Sequence, residues 1–222
     1  WCRIACKAPS GKRIICSTVT PTPLFNWRGH TAVVVASGPS LTDEQIALVE
    51  HSDVLTIAVN NSYEKLQHPD AVYACDYLWW KFNHMKVKQN IPRSRLWTQD
   101  RAAAEQFQLS HIQWEGKDGL GKRGLRVNGN SGAGAINLAY HFGARRILLV
   151  GMDMKPGPNG EKHWHPDHPK PLVQGQQFEE WRLKMGVLAK DLAAEGVTVI
   201  NCTPRSALTC FPMGDLEQEL AK

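Results

Sequence analysis

Val33 to Leu41 read VVVASGPSL, and this junction limits the chain to few architectures: an unbroken apolar run passes directly into Ser-Gly-Pro-Ser. Apolar residues without alternation fit a strand buried on both faces, as in a parallel sheet. The apolar run at 32–36 is therefore predicted to be a buried strand. Thr42 then starts a helix, with Gln45 three residues on completing a capping box, and Ile46, Leu48 and Val49 are its expected core face. In an open α/β sheet such a strand-to-helix turn aims backbone N–H groups and a helix N-terminus at a ligand phosphate. A second small-residue junction, GNSGAGAINLAYHFG from Gly129 to Gly143, opens another helix. Two such junctions predict one ligand held from two sides.

Further strands are expected at 54–61 (VLTIAVNN), at 71–76 (AVYACD, ending in Asp76), at 95–100 (RLWTQD), in RRILLVGMDM and in VTVINC. The helix from Ser131 to Phe142 closes at Gly143. A longer one over 174–195 carries Phe178, Trp181, Leu183, Met185, Leu188 and Leu192 and stops at Gly196. YLWWKFNHM reads as a partly buried helix or a lid, whose Trp79, Trp80 and Phe82 are either core or a stacking surface. Strands alternating with helices give an α/β, Rossmann-like three-layer sandwich: a mostly parallel sheet with helices on both faces. Residues 1–30 form an N-terminal arm or edge strand, 31–212 a single nucleotide-binding domain, and 213–222 a C-terminal tail with an acidic helical stub.

A chain of 222 residues with 42% hydrophobic residues supports one such core, and a net charge of +5 suits an anionic ligand without making a nucleic-acid binder. Six cysteines with no CxxC pair fit free thiols in a reducing cytoplasm. No apolar run approaches the roughly 20 residues needed to span a bilayer, and no signal-peptide pattern opens the chain, so a cytoplasmic location is expected.

Asp153 ends a strand at the edge where open sheets bind ligands. It suits a ribose hydroxyl, a divalent metal, the orientation of a catalytic His, or a structural cap, and Asp76 has the same placement. HWHPDHP packs His163, His165, His168 and Asp167 into one long loop. That composition serves a general base, with His165 or His168 preferred, a metal site, or a solvated loop. Lys117, Lys122, Arg123 and Arg126 surround glycines in a loop that would fold over a diphosphate or a nucleic-acid backbone, or else form a solvated charge run.

The order of these features resembles the bacterial sialyltransferases of glycosyltransferase family 42. It is also similar to the broader DUF115 proteins, which include archaeal 6-hydroxymethylpterin pyrophosphokinase-like enzymes and uncharacterised phage members. The residues that carry the resemblance are the GPSL turn, the Asn ending the second strand, the NSG turn, G-x-D at Asp153, the His loop and the tail through Cys202, Pro204, Ser206 and Leu208. The resemblance implies nucleotide contacts at Ser37, Gly38, Pro39, Ser40, Asn60, Asn130, Ser131 and Gly132, and a catalytic His among His163, His165 and His168. Where the sialyltransferases place a Tyr near the leaving phosphate this chain has Lys155, a cation able to neutralise a departing phosphate.

The implied activity is an inverting glycosyl transfer from a CMP-sugar or other nucleotide-activated donor to a carbohydrate or other hydroxyl acceptor, with no metal or cofactor required. The alternative is an ATP-dependent pyrophosphokinase of the pterin type, with Mg²⁺ on Asp153 or Asp76. A third reading is a noncatalytic or DNA-associated phage protein of the same fold. A homo-oligomer is compatible with each.

Overall fold

The structure is a computed structural model that describes residues 6–7, 13–14, 26–166, 175 and 177–222. Most of the expected N-terminal arm, and Asp167 and His168 of the His loop, lie outside the described residues. Within the arm, Cys6–Lys7 pairs antiparallel with Arg13–Ile14.

From residue 26 the chain alternates strand and helix. The strands are β1 (Thr31–Val35), β2 (Leu55–Val59), β3 (Ala71–Tyr73), β4 (Leu96–Thr98), β5 (Ser110–His111), β6 (Trp114–Gly116), β7 (Leu125–Arg126), β8 (Arg146–Val150) and β9 (Thr198–Asn201). The helices are α1 (Asp43–Glu50), α2 (Tyr77–Asn90), α3 (Arg101–Phe107), α4 (Ser131–Phe142), α5 (Phe178–Ala194) and α6 (Leu216–Leu220). Seven strands form one sheet in the order β9-β8-β1-β2-β3-β4-β5, and every pairing is parallel. β6 and β7 form a small separate parallel pair. Among the described residues no helix is long and apolar enough to cross a membrane.

The sheet is central because its sequence leaves it no solvent face. Ala32 to Val35 and Ile147 to Val150 are fully buried, as strands covered on both sides require. One face packs on α4 and α5 through Ala135, Ile136, Leu138, Met185 and Leu188. The other packs on α1, α2, α3 and α6 through Val49, Trp80, Phe107 and Leu216. The capping box at Thr42 and Gln45 forms as the sequence predicts, and α4 runs from Ser131 to Phe142 with Gly143 as its left-handed cap at φ +104. Two expected core positions prove to be outside. Leu48 is 37% and Leu183 70% exposed, because Leu48 sits about a third of a turn and Leu183 about half a turn off the buried stripe of its helix.

Trp79 and Trp80 are buried, and their indole N–H groups go to Asn61 Oδ1 at 2.8 Å and to the Ala74 carbonyl at 3.0 Å. Only Phe82 of that aromatic trio is exposed, so the trio makes no common stacking surface. Trp27, within the expected arm, is core: it donates its amide to Phe142 O at 2.8 Å and meets the Phe142 ring edge-on at 4.8 Å. At the chain's end α6 returns to the sheet, where Arg146 donates to Glu219 Oε2 at 2.7 Å and to the Glu219 carbonyl at 2.8 Å.

The small residues of α4 let it lie flat on the sheet. A Cβ at Gly134 would overlap the Tyr73 hydroxyl and stand 2.6 Å from its Cε1, and Tyr73 is fully buried and held by Gln99. Gly134→Ala should therefore push the helix off the strands and cost about 1–3 kcal/mol. Thermal unfolding should show this as a Tm lowered by about 2–4 °C per kcal/mol. An unchanged Tm would mean that α4 does not pack this closely.

Candidate functional site

The sheet order reverses between β8 and β1: from β1 the chain builds outward through β2 to β5, then returns to place β8 and β9 on the other side. In open α/β sheets the crevice at the carboxyl ends of such a switch point receives ligands. A cleft lies there, lined by residues that follow β1, β2, β3 and β8 and by the first turns of α4 and α5.

The two small-residue junctions do meet in this cleft: Ser37, Gly38, Pro39, Asn130, Ser131 and Gly132 all line it. Their roles differ from the expectation. Gly38 directs its N–H to Gly151 O at 2.8 Å, and a Cβ at this position would overlap Asp153 Oδ2 and Gly151 O. The glycine is therefore demanded by the close approach of two strand exits, and its amide is unavailable to a phosphate. Nor does α1 offer an anion site. Its first turn carries Asp43 and Glu44, its cap is closed by Thr42 and Gln45, and it contributes nothing to the cleft wall. Negative side chains there repel the anion that the helix dipole would attract.

The helix aimed at the cleft is α4. Asn130 Oδ1 accepts from Ala133 N at 2.9 Å, which leaves the Ser131 and Gly132 amides as remaining first-turn donors. The Ser131 hydroxyl bridges to the β3 exit, donating to Cys75 Sγ at 3.0 Å and accepting from Cys75 N at 3.2 Å. Burial raises the Cys75 thiol far above its ordinary range, so it stays protonated and unreactive at neutral pH. Cys75, Cys202 and Cys210 are free thiols.

Asp153 is 5% exposed. It accepts from Ser40 Oγ at 2.9 Å and from Ser40 N at 3.4 Å, so Ser40 stands behind the cleft as the support of this carboxylate. Loss of hydration raises its carboxyl above the usual carboxylate range, opposed by the Ser40 bonds and then by the Lys155 charge. The exit of β8 is held from behind by the tail: Thr203 Oγ1 accepts from Met152 N at 2.8 Å, Ser206 Oγ donates to Met152 O at 2.6 Å, and Ala207 N donates to Asp153 O at 2.8 Å. Lys155 and Lys162 stand in the wall, and Asp76 lines it from the start of α2.

Asn60, in the left-handed region at φ +50, also lines the cleft, and its Oδ1 is buried without a hydrogen-bond partner among the described residues. A buried acceptor left unpaired costs about 1–3 kcal/mol, which a ligand N–H or O–H would recover.

Of the two loop histidines among the described residues, His163 lines the cleft, with Nδ1 3.3 Å from Ser37 Oγ. His165, preferred with His168 as the base, stacks behind it at 4.9 Å with rings 3° from parallel and does not reach the cleft wall. The turn is fixed because Trp164 donates its amide to Ser37 O at 3.1 Å and lies under Lys65 at 4.6 Å. Among the described residues no group of three or more His, Cys, Asp or Glu gathers as a metal site.

The basic loop is also placed elsewhere. Lys122 pairs with Glu195 at 2.6 Å, and Arg126 pairs with Glu115 at 3.3 Å. Gly119 N and Gly121 N are taken by the side chains of Asn128 and Asn137 at 2.7 and 2.8 Å. Lys117 and Arg123 are exposed, and none of the four basic side chains lines the cleft, while the loop's glycines serve close backbone packing. Sequence reasoning missed Lys162, Phe178 and Trp181 in the wall. The two aromatics were visible only as the beginning of an apolar helix stripe, and their place one turn from its start was the available signal.

A family model described as 6-hydroxymethylpterin diphosphokinase MptE-like matches residues 16–156. Among solved structures, a thiamin pyrophosphokinase from Geobacillus thermodenitrificans is 15% identical, with 76% of this chain and 58% of that chain covered and a TM-score of 0.42. The chain thus spans less than two thirds of that enzyme's length. No curated protein matches. The family match supports the pterin side of the resemblance and lends nothing to glycosyltransferase family 42. With well over half its length matched, the chain belongs to the 6-hydroxymethylpterin diphosphokinase MptE-like family.

Proposed function

We propose that the cleft binds a nucleoside triphosphate with Mg²⁺ and transfers its terminal diphosphoryl group to the hydroxymethyl oxygen of a pterin-type acceptor. The observation that carries this reading is where the family match falls: residues 16–156 include the Gly38 turn, Asn60, Asp76, the α4 start, Asp153 and Lys155, whereas His163 lies beyond them.

In the reaction the acceptor oxygen bonds to the β-phosphorus. The bond from that phosphorus to the oxygen bridging it to the α-phosphorus breaks, its electron pair leaves on the nucleoside monophosphate, and the acceptor's proton passes to a base. Positioning and charge stabilisation do most of the work in such a transfer. The Ser131 and Gly132 amides with Lys155 and Lys162 face the phosphates, and His163 is the described imidazole placed to take the proton. The nucleoside lies along the β2 and β3 exits, where Asn60 Oδ1 offers an acceptor to a base amino group or a ribose hydroxyl.

A carboxylate at a strand end fits the way Mg²⁺ is usually held, through one or two protein oxygens with phosphates supplying others. Asp153 or Asp76 would hold it, and it would neutralise charge on the transferring group.

Incubating the full chain with ATP, MgCl₂ and 6-hydroxymethylpterin in its oxidised and reduced forms should yield AMP and a diphosphorylated pterin, resolved by anion-exchange chromatography, with no product once EDTA is added. Absence of AMP together with metal-independent release of CMP from CMP-sialic acid would replace this reading with the glycosyltransferase one.

Asp153→Asn should lower AMP formation by about 10²-fold or more. The same change should stabilise the fold. The folded carboxyl is raised above its unfolded value, so native stability is lost as pH rises through the folded pKa and the buried group ionises. The Tm of the variant should exceed that of the natural chain at pH 8, and the gap should narrow toward pH 4. A variant less stable at pH 8 would show that the ionised carboxylate is favoured by its surroundings.

A further inference from the structure

Phe178 and Trp181, one turn apart at the start of α5, line the cleft yet take no part in the chemistry above. The stripe that buries Met185, Leu188 and Leu192 continues back through them, but both remain only partly buried. Their rings meet edge to face at 5.6 Å and 86°. The pair is held in place from two sides. Gly129, at φ +79, brings the backbone so near that a Cβ there would stand 3.3 Å from Trp181 Nε1. Arg182 donates to the Met154 carbonyl at 3.0 Å and ties the helix to the β8 exit.

Sheet order locates this wall relative to the phosphates. α5 packs on β9, at one end of the order β9-β8-β1-β2-β3, whereas Asn60 and Asp76 follow β2 and β3. The Gly38–Asp153 contact lies between, at the β8–β1 crevice. In phosphoryl transfer the attacking and leaving oxygens stand roughly in line on opposite sides of phosphorus. With the nucleoside along β2 and β3, the acceptor arrives from the side of α5.

We propose that Phe178 and Trp181 form a stacking wall for the planar ring of the acceptor, so that α5 sets which acceptor is used. The assignment of the acceptor to this side rests on the diphosphoryl-transfer reading. The wall itself belongs to a part of the chain beyond the family match at residue 156.

The test is calorimetric titration of the full chain with 6-hydroxymethylpterin alone and with ATP plus MgCl₂, in the natural protein and in Trp181→Leu, Trp181→Phe and Phe178→Leu. Trp181→Leu should weaken pterin binding about 5- to 150-fold, the range expected for one lost ring stack. Trp181→Phe should retain most of the affinity, and ATP binding should stay within about twofold in all three, given that stacking is the only contact removed. Melting curves identify any variant that fails to fold, and Phe178→Leu supplies the same readout if Trp181→Leu does. Unchanged pterin affinity in the folded variants, loss of ATP affinity instead, or a natural protein that binds no pterin would each overturn the proposal. A chain that binds pterin through Trp181 but forms no AMP would leave the wall standing and remove the diphosphokinase reading.

Discussion

The contact on which the rest of the structure depends is the near-touching of two strand exits, where Gly38 after β1 meets Gly151 and Asp153 after β8. No side chain fits between them. The carboxylate is thereby drawn almost wholly out of water, and the Ser40 hydroxyl and amide, with the Lys155 charge, compensate it locally. A buried carboxylate so lightly partnered is not explained by stability, since its charge is disfavoured where it sits. Its position at the floor of the cleft is what accounts for it.

Around that contact the parts of the site are locked by bonds between distant segments. Ser131 fastens the start of α4 to the end of β3 through Cys75, and Thr203 and Ser206 brace the backbone that presents Asp153. Trp164 fixes the turn carrying His163 to the exit of β1. Each brace joins a different pair of segments at the rim of the sheet, so the cleft has a defined shape without any ligand. Preorganised donors of this kind spend nothing on rearrangement when charge develops in a transferring phosphate.

Much of the scaffold was legible because its signals are local. The capping box at Thr42 and the Gly143 stop act within a few residues, and the apolar runs of β1 and β8 can only be central parallel strands. The clustering of the two junctions at one rim followed from the same logic. What stayed hidden is set by partners far away in sequence. The Gly38 amide is claimed by Gly151, and nothing in GPS announces that. His163 and His165 are two residues apart and chemically alike, so only the turn held by Trp164 decides which reaches the cleft. β5, β6 and β7 have two or three residues each, too few for an alternation to register. Phe178 and Trp181 obey the helix period of the core and differ from it only in standing beyond the strand ends.

The Arg146 clamp on Glu219 sits at the amino ends of the strands, with a third bond from Arg146 to Thr31 Oγ1 at 3.0 Å. The whole length of β8 separates it from Asp153. Energies of changes made so far apart, with no shared neighbour, add almost independently. One rim of this sheet can therefore be reinforced or loosened to adjust how long the molecule endures, while the opposite rim is reshaped for a new ligand, and neither alteration dictates the other.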